Sequence, residues 1–378
     1  MTEQSASPQK IVIIGGVAGG MSAATRLRRI NETAEIVVIE RGGAVSFANC
    51  GLPYHVGGVI ENRSSLVLQK PEQLKARFNI DVLLRTEATA INRDARSVSV
   101  TDLETGASSE ISYDALVLSP GSTPFRPPIA GVETAHVLWN LDDMDALMDT
   151  ASRATSAVVV GGGFIGLELA ENLIHRGITT TLVEALPQLM ATLDSEMAWP
   201  LVERARFQGL DVRLSAQVTA ITDSGVTLGD GSTIEADFTV VAVGARPNTE
   251  LAVGAGLEMG EAGGVTVDEH QRTSDPHIWA VGDVAEKIRP DGHSLVPLAG
   301  LANRHGRLAA DSIMGAHTQA VTAYGTSIVG FFGVAAASTG YTERVLKAKG
   351  RDMRIIHTYP INHAGSYPGA SQMAMKLT

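Results

Sequence analysis

The chain has 378 residues, of which 44% are hydrophobic and 19% charged, proportions typical of a globular protein with two or three domains. Its net charge of −11 argues against nucleic acid or an anionic membrane surface as a general partner. A single cysteine excludes a disulfide framework and favours a reducing compartment.

Neither a targeting segment nor a membrane segment is visible in the sequence. Residues 1–8 are polar and contain no apolar signal core, and no apolar run is long enough to span a bilayer. The ten histidines are scattered, and with one cysteine they leave no metal-ligand spacing. We therefore expect a cytoplasmic protein without a metal site, a nucleic-acid partner or a membrane partner.

The first recognisable unit is a strand, a glycine-rich turn, a helix and a second strand over residues 10–41. The turn allows a pyrophosphate to approach the backbone N–H groups at the start of the helix. Glu40 ends the second strand, where it can accept hydrogen bonds from ribose hydroxyls. The turn departs from the GxGxxG pattern because Val17 stands at its second glycine, between Gly15 and Gly20. The unit predicts a dinucleotide site.

The only cysteine, Cys50, follows this unit in the stretch SFANCGLPYHVGG, residues 46–58. Free cysteines are usually buried small hydrophobes, but the flanking Gly51 and Pro53 are turn and helix-start residues. A helix N-terminus stabilises a thiolate, which predicts a lowered pKa and a reactive sulfur. Without a second cysteine, this sulfur needs an outside partner: a small thiol, a sulfur chain, or oxygen as a sulfenic acid.

The same nucleotide-binding unit recurs over residues 157–184, with a complete GxGxxG turn at Gly161, Gly163 and Gly166. Glu184 ends its second strand. A carboxylate at this position binds the 2′-hydroxyl of NAD and repels the 2′-phosphate of NADP. The unit therefore favours NADH over NADPH. The alternative is that Glu184 is an ordinary exposed carboxylate at the end of a strand and has no role in nucleotide binding.

A third segment, residues 276–283, is a short apolar strand that ends in Gly282 and Asp283. An acid beside a glycine at a strand end can hold a polyol such as the ribitol of FAD. Two dinucleotide units in one chain indicate two cofactors that exchange electrons.

Together these residues resemble the single-cysteine, FAD-dependent pyridine nucleotide-disulfide oxidoreductases over essentially the whole chain. Residues 113–121 and 241–249 are similar to the family's strands that leave the flavin domain and return to it. The second cysteine of the glutathione-reductase branch is His55 here. Residues 17–20 and 46–54 look like those of coenzyme A disulfide reductase and of NAD(P)H-dependent persulfide and polysulfide reductases. Pro53 favours this group over NADH oxidases and peroxidases.

The resemblance implies an α/β fold with two Rossmann-like, three-layer nucleotide-binding domains. An FAD-binding domain (1–122 and 247–318) would be split by an inserted NAD(P)H-binding domain (123–246). Residues 319–378 would begin an α+β dimer-interface domain. Because this region is short and ends on a strand-like run, we expect it to be incomplete. The resemblance also implies a homodimer.

Site residues follow from the same resemblance. Those expected to bind FAD are Gly15, Val17, Ala18, Gly20, Glu40, Arg41, Ser119, Gly121, Asp283 and Ala299. Those expected to bind NAD are Gly161, Gly163, Phe164, Ile165, Gly166, Glu168, Glu184 and Gly244. Those expected to hold the coenzyme A chain are Ser22, Arg26, Arg29, Ser46, Asn49, Asn303 and Arg304. Arg26 and Arg29 share a helix face and offer two cations to phosphates, with a solvated basic face as the alternative. Cys50 would be catalytic together with Tyr367 of the partner subunit.

The implied reaction passes hydride from NAD(P)H through FAD to a sulfur substrate, by way of a mixed disulfide on Cys50. The candidate substrates are coenzyme A disulfide, coenzyme A persulfide and polysulfide. Two alternatives stay open. One is an NADH oxidase or peroxidase that uses a sulfenic acid on Cys50, and the other is a redox sensor or flavin-binding partner protein with little turnover.

Overall fold

A computed structural model describes residues 10–378, so the first nine residues of the predicted FAD domain, with the polar N-terminal stretch, lie outside the described residues. Its helices are α1 (Ala18–Ile30), α2 (Leu52–Val56), α3 (Pro71–Phe78), α4 (Leu141–Ala151), α5 (Phe164–His175), α6 (Ser195–Phe207), α7 (Glu250–Gly254), α8 (Ala299–Ile313) and α9 (Glu343–Ala348). Its strands are β1 (Lys10–Ile14), β2 (Glu35–Ile39), β3 (Ile80–Leu83), β4 (Thr86–Asn92), β5 (Ser97–Asp102), β6 (Ser108–Ser112), β7 (Ala115–Leu118), β8 (Ser122–Pro124), β9 (Ser156–Val160), β10 (Thr179–Val183), β11 (Asp211–Arg213), β12 (Val218–Thr222), β13 (Gly225–Leu228), β14 (Thr233–Glu235), β15 (Phe238–Val241), β16 (Ala245–Pro247), β17 (Ile278–Ala280), β18 (Lys287–Arg289), β19 (Gly292–Ser294), β20 (Ser327–Phe331), β21 (Val334–Ser338), β22 (Ile356–Thr358) and β23 (Met375–Leu377).

The first sheet consists of five parallel strands in the order β17-β7-β1-β2-β3. Strand β1 is apolar on both faces because both faces are covered. Ile11 and Ile13 pack with residues of α1 and α8 on one side. Val12 and Ile14 pack against the antiparallel β4-β5-β6 sheet on the other side. The result is a three-layer arrangement of helices, parallel sheet and antiparallel sheet.

The second sheet repeats this construction with four parallel strands in the order β11-β10-β9-β15. Ala157 and Val159 face a core shared with α5 and α6. Val158 and Val160 face the antiparallel β12-β13-β14 sheet. All four strands of this sheet lie between β7 and β17 in sequence, so the second sheet is inserted into the chain that builds the first. Strands β8 and β16 pair antiparallel where the chain passes between the two sheets.

The C-terminal region is antiparallel, with a β20-β21 hairpin and a β22-β23 pair. Val329, Phe331 and Phe332 are buried in the same core as α5. The backbone N–H of Phe332 donates to the Glu171 carboxylate at 2.9 Å, and Arg204 donates to the Phe332 carbonyl at 2.8 Å. This region therefore extends the core of the second sheet.

Lys376 of β23 joins the C-terminal region to the second sheet's helices. Its side chain is 4% exposed, and its ammonium pairs with Asp194, Glu196 and Glu343. The carboxylate oxygens of these three acids lie within 4.8 Å of one another, and the ammonium of Lys376 bridges them.

Two parallel sheets and a small antiparallel C-terminal region confirm the predicted α/β class. The predicted boundaries at residues 122, 246 and 318 stay predictions. Within residues 10–378, no helix combines the length and the apolar character required to cross a membrane.

Candidate active site

The first glycine loop is tightly closed on itself. Gly15 has a φ of +102°, and a Cβ at Gly20 would lie 1.9 Å from the Gly15 carbonyl oxygen. Both positions therefore require glycine. Val17, at the place of the second glycine, has a φ of −116° and a ψ of −130°, and its negative φ does not require glycine. The departure from GxGxxG leaves the fold of the loop intact.

The second glycine loop closes in the same way. Gly161 has a φ of +110°, and a Cβ at Gly166 would lie 1.9 Å from the Gly161 carbonyl oxygen. Gly163 has no atom within 4 Å of a Cβ built on it, so the space above this position is open. Neither α1 nor α5 has a side-chain cap at its N-terminus. Uncapped helix starts suit the phosphates of a dinucleotide, so both loops fit the groups predicted for them.

Each loop is held by the acid predicted to bind ribose. The Glu40 carboxylate accepts from the N–H groups of Gly16 and Gly42, both at 2.7 Å. The Glu184 carboxylate accepts from the N–H of Gly162 at 2.6 Å and from that of Leu186 at 2.7 Å. Because a carboxylate has about four acceptor sites, each acid keeps capacity for ribose hydroxyls.

Asp283 lies on a 3₁₀ turn, Gly282–Val284, that follows β17. Its carboxylate accepts from the Ser122 hydroxyl at 2.7 Å. The ammonium of Lys287 donates to the carbonyls of Gly282 and Ala285, next to the turn. Ser122 and Lys287 were missed by the sequence analysis, since no motif points to either of them.

A single crevice of about 2590 Å³ connects the two loops with the cysteine and with Asp283. Most of the predicted site residues line it: Gly15, Val17, Ala18, Glu40, Arg41, Asn49, Cys50, Ser119, Gly121, Gly161, Gly163, Phe164, Ile165, Glu168, Glu184, Gly244, Asp283, Ala299 and Arg304. Gly20 and Gly166 pack inside their loops instead. The crevice thus brings together the residues expected to hold two nucleotides and one reactive sulfur.

Cys50 lies on the 3₁₀ turn Asn49–Gly51, which leads directly into α2. The predicted lowering of its pKa is wrong. Cys50 is exposed to the crevice, but its thiol is partly shielded from solvent. This partial burial and the negative charge of Glu168 raise the pKa of the thiol, against the effect of a backbone hydrogen bond. Helix α2 has only five residues, and a nearby carboxylate opposes its dipole.

Glu168 and Tyr54 form a polar pair near the cysteine. The Tyr54 hydroxyl donates to Glu168 at 3.5 Å. Burial, with a smaller effect of the neighbouring Glu171, raises the pKa of Glu168 to about 7, while the Tyr54 hydrogen bond opposes this. Tyr54 was missed by the sequence analysis, although it follows Cys50 by one helical turn.

The residues predicted to hold coenzyme A separate into two groups. Ser22 donates to Asn303 at 2.8 Å, and Arg26 pairs with Asp311 at 2.7 Å, all where α1 packs on α8. These residues, together with Arg29 and Ser46, are not among those that line the crevice. The Asp311 carboxylate compensates much of the charge that Arg26 was expected to offer a phosphate.

The other group, Asn49 and Arg304, lines the crevice. The Asn49 side-chain amide donates to the Trp139 carbonyl at 3.3 Å. Tyr367 lies elsewhere, 68% exposed, with its ring edge-on to His363 in a small surface depression. Within one chain it does not reach the crevice that holds Cys50.

Comparison with known proteins agrees with this site. The chain matches the family model of the pyridine nucleotide-disulphide oxidoreductases over residues 9–316. It is 32% identical over 375 residues to coenzyme A disulfide reductase of Staphylococcus aureus (strain JH9), covering 97% of this chain and 84% of that protein.

Three solved structures are similar over almost the whole chain. Reduced CoADR-RHD of Bacillus anthracis is 40% identical, with a TM-score of 0.95, covering 98% of this chain and 68% of that one. An NAD-dependent persulfide reductase from A. fulgidus is 35% identical, with a TM-score of 0.94, covering 97% and 70%. The water-forming NADH oxidase of Lactobacillus brevis, bound to NADH, is 28% identical, with a TM-score of 0.92, covering 97% and 83%.

FAD and NAD(P)H are the cofactors typical of this family. The two glycine loops, their strand-end acids and the single cysteine carry the resemblance in the sequence, and in the structure they line one crevice. The chain belongs to the pyridine nucleotide-disulphide oxidoreductase family.

Proposed function

We propose that the chain is a flavin-dependent oxidoreductase that uses NADH to reduce a sulfur substrate at Cys50. The observation that carries this proposal is the single crevice shared by both glycine loops and Cys50. In it, the first loop, Glu40 and Asp283 hold FAD, while the second loop and Glu184 hold NADH. When bound, FAD supplies the exchange of two electrons between a nicotinamide and sulfur.

The sulfur chemistry belongs to Cys50. Its thiolate attacks one sulfur of the substrate disulfide, which forms a mixed disulfide and releases the other sulfur as a thiolate. Two electrons and one proton then cleave the mixed disulfide, which returns Cys50 as a thiolate and releases the second thiol. Burial and the nearby Glu168 carboxylate raise the pKa of Cys50, which disfavours this thiolate.

NADH is the proposed donor because of Glu184. This carboxylate sits beside the second loop, where it accepts a ribose hydroxyl and repels a phosphate. The Lactobacillus brevis relative, which was solved with NADH bound, supports the same choice.

The proposed acceptors are coenzyme A disulfide, coenzyme A persulfide and polysulfide. Similarity to coenzyme A disulfide reductase and to an NAD-dependent persulfide reductase supports this class. Asn49 and Arg304 are the proposed substrate contacts in the crevice. Ser22, Arg26, Arg29 and Asn303 are proposed to act outside it, where α1 meets α8.

We also propose a homodimer through the C-terminal region. Large exposed apolar side chains cluster there in sequence: Ile355, Ile356, Tyr359, Ile361, Tyr367, Met373, Met375 and Leu377. A patch of this kind on a folded protein favours association. In a dimer, Tyr367 of the partner subunit would approach Cys50, and sedimentation of the wild-type protein tests the association.

Steady-state oxidation of NADH with coenzyme A disulfide, coenzyme A persulfide, polysulfide and oxygen tests the function. The protein should be yellow, should release FAD on denaturation, and should turn over fastest with one of the sulfur substrates. Cys50→Ser should abolish this turnover, yet NADH should still bleach the flavin. Near-normal turnover of sulfur substrates in the variant would show that Cys50 has no catalytic role.

One other enzyme activity has specific support, reduction of oxygen to water through a sulfenic acid on Cys50. Its support is the likeness to the NADH oxidase and the exposure of Cys50 to the crevice. Oxygen turnover above that with every sulfur substrate would favour this activity. Bleaching of the flavin without turnover on any acceptor would favour a redox sensor instead.

A further inference from the structure

Lys287 is a charged side chain buried in the core of the first domain. It is 2% exposed, and it is among the largest fully buried side chains of the described residues. Burial lowers its pKa to about 8, although Asp283 and Glu286 oppose this. A buried ammonium costs stability, so its presence calls for a reason other than the stability of the fold.

The contacts of Lys287 are to one short segment of backbone. Its ammonium donates to the carbonyls of Gly282 and Ala285. These carbonyls flank the two other residues of the segment, Asp283 and Val284, so the ammonium fixes the turn from both ends. Gly282 has a φ of +78°, which glycine adopts readily and other residues rarely do, so this turn requires glycine at its first position.

Neither neighbouring acid takes this ammonium as an ion-pair partner. The Asp283 carboxylate accepts from Ser122, and that of Glu286 accepts from the N–H groups of Ala262 at 2.7 Å and Gly264 at 3.4 Å. Over residues 10–378, no carboxylate oxygen lies within 4.0 Å of the Lys287 ammonium, so Lys287 forms no salt bridge with these residues. The hydrogen bonds of Lys287 therefore go to the turn.

His305 of α8 is a second buried titratable residue, close enough for the charge of Lys287 to affect its pKa. It is 2% exposed, and neither ring nitrogen has a hydrogen-bond partner among the described residues. Burial, and then the charge of Lys287, lower the pKa of His305 to about 4, so the imidazole is neutral at pH 7. Because this imidazole is neutral, the ammonium of Lys287 is the charged group that contacts the turn.

We propose that Lys287 is a positioning residue for FAD: its ammonium fixes the 282–285 segment so that Asp283 presents its carboxylate to the ribitol. Ser122 orients the Asp283 side chain, and Lys287 orients the backbone that carries it. The inference rests on the proposed function, since it concerns the FAD site named there.

Lys287→Met tests the proposal, because methionine keeps an unbranched apolar stem and removes the ammonium. FAD affinity is measured by quenching of flavin fluorescence on titration into apoprotein, and stability by thermal melting of the same apoprotein. We expect FAD affinity to fall at least about tenfold, as for the loss of one hydrogen bond to a charged group. The melting temperature of the apoprotein should stay unchanged or rise, since the buried charge is gone. Lys75→Met, at an exposed lysine paired with Asp81 in the same domain, is the matched control.

Unchanged FAD affinity in Lys287→Met would overturn the inference. So would a fall in FAD affinity matched by an equal loss of apoprotein stability, which is what a packing role predicts. If the methionine variant does not fold, Lys287→Gln takes its place, because the neutral amide nitrogen still donates hydrogen bonds and should give an intermediate FAD affinity. Wild-type FAD affinity in Lys287→Gln would also overturn the inference. Failure of the wild-type apoprotein to take up FAD would instead refute the proposed function.

Discussion

At the scale of single residues, Glu184 fixes the second loop and is also proposed to determine the preference for NADH over NADPH. It accepts from Gly162 and Leu186, and the remaining acceptor capacity faces the crevice. We expect Glu184→Ala to reduce the preference for NADH over NADPH by about 1–3 kcal/mol, the range for one charge-assisted hydrogen bond. Values of kcat/KM for both nucleotides measure this. Glu203→Ala, at an exposed acid of α6, should leave the ratio unchanged. A wild-type preference for NADPH would contradict the assignment.

The protonation of Cys50 should depend on Glu168. Because the carboxylate raises the pKa of the thiol, Glu168→Gln should lower that pKa and speed alkylation several-fold at about pH 8. The pKa of Glu168 is about 7, so below that pH the acid is protonated and loses this effect. The two alkylation profiles should therefore converge as the pH falls below 7 and diverge above it. Identical profiles across the range would show that Glu168 does not act on the sulfur.

At the scale of elements, the start of α5 depends on contact between two glycines. A Cβ at position 166 would lie 1.9 Å from the Gly161 carbonyl oxygen, so Gly166→Ala must push α5 away from β9. We expect the free energy of unfolding to fall by about 1–3 kcal/mol, the usual cost of overpacking, with loss of NADH binding. Urea denaturation and NADH titration measure the two effects.

Gly163→Ala is the internal control for this loop, since the space that its new methyl group would occupy has no atom within 4 Å and the φ of Gly163 is −86°. It should unfold like the wild type. Equal stability of the variants at positions 163 and 166 would mean that the loop relaxes without cost.

The nucleotide-binding elements were predictable because their signals are local. The unit predicted over residues 10–41 corresponds to β1, α1 and β2 in that order. The unit predicted over residues 157–184 corresponds to β9, α5 and β10. A buried strand, a glycine turn and a terminal acid each depend on residues that are consecutive in the chain, so a local sequence pattern is enough to predict them.

Contacts between distant residues were not predictable. Ser122 and Asp283 are 161 positions apart, and Tyr54 and Glu168 are 114 apart. The raised pKa of Cys50 depends on such a contact, which is why reasoning from the helix start alone gave the wrong sign. The C-terminal region shows the same limit, because Phe331 and Phe332 are buried in a core that includes residues of α5, which are distant in sequence.

At the scale of the whole molecule, Lys376 ties the C-terminal region to the second domain. Removing its ammonium by Lys376→Met would leave three carboxylates close together without their common partner. We expect the free energy of unfolding to fall by about 2–3 kcal/mol, below the full cost of breaking a buried pair because Glu196 is half exposed. Chemical denaturation measures this.

Lys347 provides the control for this prediction. It pairs with the same Glu343 but is 67% exposed, so Lys347→Met should change stability by less than about 0.5 kcal/mol. Equal effects of the two variants would mean that burial of Lys376 does not matter.

The two glycine loops close by the same contact, and this has a consequence for how long each nucleotide stays. The loops alone do not distinguish the two nucleotides, yet an electron donor must leave after every turnover while a resident cofactor must not. The difference in residence time therefore has to come from the surroundings. Helix α8 packs on the start of α1, where a Cβ at Gly306 would lie 2.2 Å from the Gly19 carbonyl oxygen, whereas the space above Gly163 is open. We propose that the packed first loop retains its nucleotide and that the open second loop exchanges its own.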